Sequence, residues 1–571
     1  MYLAFIIKYY NANSTKLKIS HVAMDSNHFM EISCCASVLT HLKAMAYKVL
    51  YMAIVICTVC YVGKAEWFSS MEQITDLLRH ENTMLPALQR FVDAKRKQLA
   101  QLQDLVDTLR DVSDKVSINK EEYISHPINQ YHLIKRFAND WTQIAALLQT
   151  FNKTSFKFVQ KFKKAKTLFP KDEDMKGGTE GILRVQITYN LNASDLVEGN
   201  IAGKYSFLNL STDDCYRIGK TALRGGLFGR CVEWIELALQ RFEEGKSTFT
   251  KRNATEYLDI CEFAISKNET KYINHLDADP ENTRILGNRI RFTRHARVQT
   301  QEVVDDKFYT FSVDETFFKL CRGEQTLTKK KQHKKLRCYL STNMGNPKLL
   351  IRPVKVEELS KSPDIVQFHD VLSDTVINEI KKLAKPQLFR AIHAGSDDTD
   401  LQKAPYRITK LAWLLDDDGP EVAKITERIS DITGLTLNTS EEIQVANYGV
   451  GGEYPPHFDI PTTDEERDDL KSQDGERIAT FLIYLSDVEV GGRTAFVNAG
   501  VSAKPIKGSA VFWYNVFPSG EPDLRTYHGA CPVAFGNKWA GNKWIREAGE
   551  MFRRKCELDR YADSKICYNK I

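Results

Sequence analysis

The hydrophobic residues of this 571-residue chain change their spacing midway along its length. Between residues 66 and about 170 the pattern is helical, and from Leu85 to Leu109 leucine and valine recur at intervals of three and four, the period of one helix face. After about residue 340, short runs rich in β-branched and aromatic residues alternate with turns that contain glycine and proline. Such runs are typical of a β-sandwich or barrel. The sequence therefore predicts a helical N-terminal half followed by a β-rich C-terminal half.

The helical period is clearest in a short heptad run. Its members are Leu85, Leu88, Val92, Leu99, Leu102, Val106 and Leu109. A seam of this kind is typical of a coiled coil or of two packed helices, and equally of an amphipathic helix buried in its own domain. We interpret residues 66–200 as a helical assembly or dimerisation domain.

Helical segments joined by short polar turns continue through residues 201–300. One contains Tyr216, another contains Tyr257, and a further one begins at Asp279-Pro280, a suitable N-cap followed by a proline at the first helical position. The pattern resembles tetratricopeptide helix pairs, which stack to leave a concave groove. Aromatic side chains in such a groove suit proline-rich extended peptides, and the alternative is that both tyrosines are core residues.

The compartment is indicated by an apolar run, Val49 to Val62, which basic residues precede and which ends near Ala65. Its length of about 14 residues is short of the roughly 20 that a spanning helix needs. We therefore assign residues 1–65 to an N-terminal extension and a signal peptide, with an uncut signal anchor as the alternative. No stable membrane span is expected.

Glycosylation triplets and cysteines agree with a secretory protein. The triplets begin at Asn152, Asn192, Asn209, Asn253, Asn268 and Asn438. The chain after Ala65 has eight cysteines without a Cys-x-x-Cys pair, so we expect disulfides rather than a zinc ribbon or a thioredoxin-type site. The net charge of +5 is small for this length and predicts no nucleic-acid partner. Residues 301–345 form a linker, whose lysine-rich stretch between Cys321 and Cys338 is interpreted as a solvated loop.

The candidate chemistry lies in residues 346–571. His457 and Asp459 form a His-x-Asp at the end of a strand-like stretch, where residues two apart share one face. About 70 residues later comes His528, and ten residues after it Lys538. Two histidines and one carboxylate form the facial triad of a non-haem Fe(II) oxygenase, which leaves three positions for other ligands. Lys538 supplies a cation for the far carboxylate of a five-carbon 2-oxo diacid.

Three stretches of this C-terminal half carry a family resemblance. They are Tyr448 to Asp459, Gly508 to Asn515, and His528 to Val533 with Gly536 to Trp539 and Asn542 to Trp544. The chain resembles the catalytic alpha subunits of collagen prolyl 4-hydroxylase. The resemblance implies a double-stranded β-helix (jelly-roll) domain with iron ligands His457, Asp459 and His528, and with Lys538 as the partner of the 2-oxoglutarate carboxylate. It also places Tyr448 and Thr494 in the co-substrate pocket and Arg477 and Trp544 on the substrate side.

The same resemblance implies a biological setting. It adds ascorbate as reductant, protein disulfide isomerase as beta subunit of an alpha2-beta2 tetramer, and the endoplasmic reticulum lumen as location. The expected reaction is 4-hydroxylation of proline in X-Pro-Gly sequences of procollagen. The family's second and third groove tyrosines are replaced by Ile260 and Phe263, so the same chemistry on another secreted proline-containing protein is the alternative.

We also predict the disulfides Cys321–Cys338 and Cys531–Cys556. Each closes a short loop, and the resemblance supports both pairs, while it leaves Cys215 unpaired. A buried free thiol at Cys531 is the alternative.

Overall fold

The computed structural model of the protein describes residues 67–94, 100–149, 162–167, 169–267, 315–324, 336–390, 392–394, 401–403, 408–462 and 474–563. The predicted signal peptide, the helix at Asp279-Pro280, the lysine-rich loop and Cys567 lie outside these residues. Within the described part of the chain, no helix combines the length and the apolar character needed to cross a membrane.

The N-terminal half is helical, as predicted. Its helices are α1 (Met71–Ala94), α2 (Ala100–Ile118), α3 (Lys120–Ser125), α4 (Pro127–Lys135), α5 (Trp141–Gln149), α6 (Asp172–Tyr189), α7 (Ala193–Val197), α8 (Thr212–Arg224), α9 (Phe228–Gln240) and α10 (Lys251–Lys267). A π-helical turn, Arg136–Asp140, joins α4 to α5. A two-stranded ribbon of β1 (Asn200–Ile201) and β2 (Lys204–Tyr205) precedes α8.

The heptad run is divided between two helices that pack on each other within the chain, α1 and α2. The heptad residues that the structure describes are all buried: Leu85, Leu88, Val92, Leu102, Val106 and Leu109. The seam is thus the contact of an intramolecular helix pair. A role of this region in assembly stays a prediction.

Helices α8, α9 and α10 pack in sequence order, each against the next. Ser211 caps α8, since its hydroxyl accepts from the backbone N–H of Asp214. Gly219 lets α9 approach, because a Cβ there would lie 2.6 Å from Ile235 Cδ1. Among the described residues, α8, α9 and α10 form this stack of three helices. That the stack is a tetratricopeptide-like repeat stays a prediction.

The C-terminal half is β-rich, as predicted, and is built around one large sheet. After α11 (Glu315–Cys321), the elements are β3 (Cys338–Ser341), α12 (Pro347–Leu350), β4 (Val354–Lys361), β5 (Asp364–His369), α13 (Asp374–Ala384), β6 (Phe389–Arg390), β7 (Ile392–Ala394), β8 (Leu401–Lys403), β9 (Thr409–Leu414) and α14 (Pro420–Thr433). They continue with β10 (Ile443–Tyr448), β11 (Tyr454–His457), β12 (Arg477–Tyr484), β13 (Val490–Gly491), β14 (Thr494–Phe496), β15 (Val501–Ala503), β16 (Ala510–Tyr514), β17 (His528–Ala530), β18 (Val533–Phe535) and β19 (Trp539–Arg546).

Two sheets face each other across the interior of this half. The nine-stranded sheet has the order β3-β4-β5-β16-β12-β19-β10-β9-β6, and the four-stranded sheet has the order β11-β17-β14-β15. Strand residues alternate between two cores. In β12, for example, Phe481 and Ile483 pack toward α13 and α14, whereas Leu482 and Tyr484 point into the interior between the sheets.

The two halves share one hydrophobic core. Ile408, Val450 and Ala534 of the β-rich half are buried in the same cluster as the helical core. At this contact the backbone of the loop after β10 is pressed against the helical half, since a Cβ on Gly449 would lie 1.7 Å from the carbonyl oxygen of Phe68. Only glycine fits there, so the sequence of the loop is adapted to the helical half.

The predicted disulfides Cys321–Cys338 and Cys531–Cys556 are wrong. Cys321 pairs instead with Cys531, with their Cα atoms 5.4 Å apart, and of the described cysteines Cys338 and Cys556 are exposed free thiols. The loop-length argument considers only separation along the chain, whereas folding packs the end of α11 against β14 beside Cys531. The 210-residue separation is therefore no obstacle to the bond.

Three further cysteines and four of the triplet asparagines lie among the described residues. Cys215 is a buried free thiol, as expected, and Cys231 bonds to Cys261, a pair that was not predicted. Asn192, Asn209, Asn253 and Asn438 are exposed, and Asn152 and Asn268 lie outside the described residues.

Candidate active site

The predicted triad is brought together by the register of the four-stranded sheet. Strands β11 and β17 are antiparallel neighbours, and His457 lies directly opposite His528. Opposed residues of an antiparallel pair have Cβ atoms about 5 Å apart, and the two imidazole rings have their centroids 4.6 Å apart. The turn after β11 then carries Asp459 back toward both rings.

The three side chains form a compact group of ligand atoms. Asp459 Oδ1 lies 3.5 Å from His457 Nε2, and Asp459 Oδ2 lies 3.7 Å from His528 Nε2. The ligand atoms all lie within 4.8 Å of one another, and the side chains of Asp459 and His528 are nearly buried. The group is therefore a candidate metal site formed by two imidazoles and one carboxylate.

The orientation of each imidazole is fixed by the main chain. His457 Nδ1 lies 2.9 Å from the carbonyl oxygen of Pro455, and His528 Nδ1 lies 2.9 Å from that of Thr526. A carbonyl oxygen can only accept, so Nδ1 carries the proton on both rings. Each Nε2 lone pair is left free to bind a metal, as is usual for histidine ligands.

The protonation states suit a divalent cation. Burial would raise the pKa of Asp459, but the adjacent His528 and His457 and a hydrogen bond from Thr480 hold it well below its ordinary value. Burial lowers the pKa of His528 to about 4, although Asp459 acts in the opposite direction. Both groups are thus in their metal-binding form, a carboxylate and a neutral imidazole, at neutral pH.

A chain of hydrogen bonds behind the carboxylate was not predicted. Thr480 Oγ1 donates to Asp459 Oδ2 over 2.6 Å, Asn515 Nδ2 donates to Thr480 Oγ1 over 2.9 Å, and Trp513 Nε1 donates to Asn515 Oδ1 over 2.8 Å. The Trp513 ring also meets His528 edge to face, with the ring centroids 4.6 Å apart. The signal in the sequence was a threonine between the apolar residues Ala479 and Phe481 of β12.

Lys538 forms a candidate anion site. Its side chain is buried, with 1% of the residue exposed, and its Nζ has no hydrogen-bond partner among the described residues. The ammonium lies 4.6 Å from the centroid of the Tyr448 ring, and burial lowers its pKa to about 7. A buried ammonium without a counter-charge is costly, so the arrangement fits an incoming carboxylate.

The predicted pocket residue Thr494 belongs to the same interior. Its side chain is buried, and its hydroxyl accepts a 2.7 Å hydrogen bond from the hydroxyl of Tyr484. Gly492, two residues earlier, has a φ of +65°, in the left-handed region that favours glycine. Tyr484 was not singled out in the sequence, although it ends the apolar run of β12.

Arg477 and Trp544, the predicted substrate-side residues, lie together beside the triad. The guanidinium of Arg477 lies 4.1 Å from the Trp544 ring centroid, donates to Glu441 over 2.7 Å and reaches the backbone oxygen of Asp459 over 3.4 Å. Trp544 Nε1 is buried and has no acceptor among the residues that the structure describes. The location agrees with contact to a substrate, and the role itself stays a prediction.

Tyr216 and Tyr257 lie on α8 and α10, apart from the elements that build the metal site. Tyr216 stacks on Phe249 with ring centroids 4.2 Å apart and meets Tyr257 edge to face at 5.7 Å. Lys220 Nζ lies 5.5 Å and 5.1 Å from these two tyrosine rings. The two tyrosines thus belong to one aromatic cluster, and Phe249 is the member that was missed.

Comparison with known proteins identifies the relatives of both halves. Residues 70–203 match the family model described as Prolyl 4-Hydroxylase alpha-subunit, N-terminal region, and residues 443–546 match that of the 2OG-Fe(II) oxygenase superfamily. The chain is 37% identical over 519 residues to the chicken (Gallus gallus) prolyl 4-hydroxylase subunit alpha-2, covering 86% of this chain and 96% of the relative.

The similarity extends to mammalian relatives. The human (Homo sapiens) prolyl 4-hydroxylase subunit alpha-1 is 36% identical over 513 residues, covering 86% of this chain and 96% of the relative. The mouse (Mus musculus) subunit alpha-1 is 36% identical over 535 residues, covering 90% of this chain and 99% of the relative.

Proposed function

This chain belongs to the prolyl 4-hydroxylase alpha subunits, and on that premise we propose that it hydroxylates proline at C4 in X-Pro-Gly sequences of collagen-type polypeptides. The observation that carries the proposal is the conjunction of two features: a triad whose ligand atoms lie within 4.8 Å of one another, and a buried ammonium that lacks a partner among the described residues. Fe(II) and 2-oxoglutarate fit these two sites.

The chain's own residues would perform three tasks. His457, Asp459 and His528 would hold the iron through two imidazole nitrogens and one carboxylate oxygen. Lys538 would bind the remote carboxylate of 2-oxoglutarate, and the arrival of that anion would raise the pKa of the lysine and favour its charged form. When bound, Fe(II) and 2-oxoglutarate supply the oxidising chemistry, in which the atoms of O2 are divided between hydroxyproline and succinate as CO2 leaves.

The interior between the sheets would exclude water from this chemistry. The side chains around Tyr448 are apolar and buried, among them Leu482, Phe496 and Trp513. In such surroundings an ion pair between Lys538 and a carboxylate is screened much less than in water. The same surroundings protect the reaction from side reactions with bulk solvent.

The substrate peptide would be held by two separate surfaces. Arg477 and Trp544 lie beside Asp459 and are proposed to contact the residues around the reacting proline. The aromatic cluster of Tyr216 and Tyr257, within a peptide-binding domain over residues 201–300, is proposed to bind proline-rich sequence further along the same chain. The catalytic domain is assigned to residues 346–571.

The proposal includes the cellular setting. The chain would act with ascorbate in the endoplasmic reticulum lumen, with protein disulfide isomerase as beta subunit of an alpha2-beta2 tetramer, to which the helical region of residues 66–200 would contribute. Two disulfides in the described residues and four glycosylation triplets with an exposed asparagine support an oxidising, secretory location.

The test uses the purified full-length assembly with (Pro-Pro-Gly)-type peptides, Fe(II), 2-oxoglutarate and ascorbate. We expect mass spectrometry to show the gain of one oxygen on prolines that precede glycine, and His457→Ala to show none. Turnover of 2-oxoglutarate without peptide hydroxylation would instead favour another secreted proline-containing substrate. A protein loaded with Fe(II) that consumed no 2-oxoglutarate with any proline-containing substrate would contradict the proposal.

A further inference from the structure

Asn447, near the end of β10, connects the helical half to the backbone of Lys538. Its amide oxygen accepts from the hydroxyl and backbone of the segment that opens α1, from Ser70 Oγ over 2.8 Å and from the N–H of Glu72 over 2.8 Å. Its amide nitrogen donates to Asn537 Oδ1 over 2.9 Å and to the carbonyl oxygen of Lys538 over 3.3 Å. The residue is 0% exposed, so its hydrogen-bonding capacity is used entirely by protein groups.

The chemistry of these partners determines which way the amide faces. The backbone N–H of Glu72 can only donate, and the carbonyl of Lys538 can only accept. An asparagine satisfies both at once, with oxygen toward the helix and nitrogen toward the strand. An aspartate would keep the acceptor for α1 but would place a second acceptor against the Lys538 carbonyl, and an alanine would leave buried groups unsatisfied on both sides.

The backbone on either side of Lys538 is held from the interior as well. The N–H of Tyr448 donates to the Lys538 carbonyl over 3.1 Å. Ser486 accepts from the N–H of Trp539 over 2.8 Å and donates to the carbonyl of Asn537 over 2.6 Å. Asn447 adds a hydrogen bond to the Lys538 carbonyl that links this segment to the start of α1.

Backbone placement matters at Lys538 because its ammonium has no polar partner of its own among the described residues. The Nζ position is set by the main chain and by the Tyr448 ring, whose centroid lies 4.6 Å away. A shift of the carbonyl would therefore move the ammonium relative to its carboxylate ligand. Binding geometry of this kind is sensitive to displacements of about 1 Å.

We propose that Asn447 is a positioning residue of the co-substrate site, which makes the affinity for 2-oxoglutarate depend on the docking of α1 against the catalytic half. The inference rests on the proposed function, since it concerns the co-substrate assigned there. It deepens that function by giving the helical half a part in co-substrate binding. The side-chain hydrogen bonds of Asn447 go to Ser70, Glu72, Asn537 and the Lys538 carbonyl. They reach neither a metal ligand nor the lysine ammonium.

The test measures 2-oxoglutarate binding to the full-length, Fe(II)-loaded assembly by calorimetry without oxygen, which separates binding from turnover. Asn447→Ala is expected to raise the Kd for 2-oxoglutarate about tenfold, the effect of one lost buried hydrogen bond near the ligand. In the hydroxylation assay KM for 2-oxoglutarate should rise by a similar factor, while kcat stays within about twofold.

Two further variants separate positioning from simple loss of stability. Asn447→Asp keeps the acceptor for Ser70 and Glu72 but loses the donor to Lys538, and it should weaken 2-oxoglutarate binding although α1 remains docked. Tyr131→Phe is the matched control, because it removes a buried 2.7 Å hydrogen bond to Asp214 inside the helical half. It should lower Tm to a similar extent and leave the Kd unchanged.

The outcomes distinguish this inference from the function on which it rests. If Asn447→Ala and Asn447→Asp both lowered Tm but bound 2-oxoglutarate as tightly as the unaltered chain, the residue would be structural only and the inference would be refuted. If Asn447→Ala did not fold, Asn447→Asp would decide in the same way. If the unaltered chain bound Fe(II) but no 2-oxoglutarate, the proposed function would fail, and the inference with it.

Discussion

Replacing Lys538 by methionine tests whether the protein holds a buried cation ready for an anion at a cost to its own stability. Methionine is unbranched, fills a similar volume and carries no charge. The substitution should therefore remove the binding partner of 2-oxoglutarate and at the same time stabilise the unliganded protein. A gain of stability together with a loss of binding is the trade-off expected where a site holds a group in an unfavourable state.

The size of the effect follows from the burial of the lysine. Burial lowers the pKa of Lys538 from 10.5 to about 7, and each pH unit between folded and unfolded pKa values corresponds to about 1.4 kcal/mol. At pH 7 the unfolded lysine is fully charged and the folded one about half charged, so the cost is at most about 4 kcal/mol. The Tyr448 ring offsets part of it, so we expect Lys538→Met to raise the free energy of unfolding by about 2 to 3 kcal/mol.

The lowered pKa of Lys538 also predicts how the free energy of unfolding changes with pH. Because the folded pKa is the lower one, the unfolded chain binds more protons between pH 7 and 10.5, and the stability of the unaltered protein rises with pH in this window by up to about 1.4 kcal/mol per pH unit. The methionine variant lacks this contribution. The difference in stability between the two proteins should therefore shrink as the pH rises from 7 toward 10.

Thermal unfolding at several pH values, with and without 2-oxoglutarate, provides the assay. The co-substrate should raise Tm of the unaltered protein, because ligands that bind only the folded state stabilise it, and should leave that of Lys538→Met unchanged. Lys382→Met is the matched control at an exposed helical position, where the lysine side chain is 74% exposed. A methionine variant no more stable than the unaltered protein at pH 7, or a difference that did not change with pH, would refute the reasoning.

Three further predictions concern other parts of the molecule. Thr480→Val removes the hydrogen bond to the triad carboxylate and should weaken Fe(II) binding about 10-fold or more in a metal titration. Thr433→Val should not, because the Thr433 hydroxyl bonds only to the backbone of Ile429 and Leu435; equal iron affinities of the two variants would contradict the assigned role. Tyr216→Ala should raise KM for long proline-rich peptides and leave KM for short ones unchanged, and a parallel rise in both would argue against a separate peptide surface. Peptide mapping without reductant should recover Cys321 joined to Cys531, and a Cys531 peptide joined to any other partner would overturn this pairing.

The triad could be predicted from the sequence because most of its information is local. His457 and Asp459 are two residues apart on one strand-like stretch, so their proximity follows from strand geometry alone. The third ligand, His528, was predicted because a facial triad needs a second histidine. Its place directly opposite His457 depends on the pairing of β11 with β17. Lys538 could be predicted because its distance from His528 along the chain is short.

Contacts between distant segments could not be obtained in this way. Asn447 and Ser70 are separated by 377 residues, and nothing in either local sequence indicates that they meet. The disulfides failed for the same reason, since a short loop lowers the entropic cost of a bond but does not bring the sulfur atoms together. Thr480 and Asn515 were missed because their role depends on which face of β12 and of the turn after β16 points inward.

The shared core between the two halves has a consequence for the order in which the protein is made. Ile408, Val450 and Ala534 complete a cluster whose other members belong to the helical half, and a chain grows from its N-terminus, so the helical half leaves the ribosome hundreds of residues earlier. During that interval the apolar side chains that pack on Val450 in the folded protein lack this partner. The core of the helical half is therefore completed only after the segments that carry the metal ligands have been synthesised.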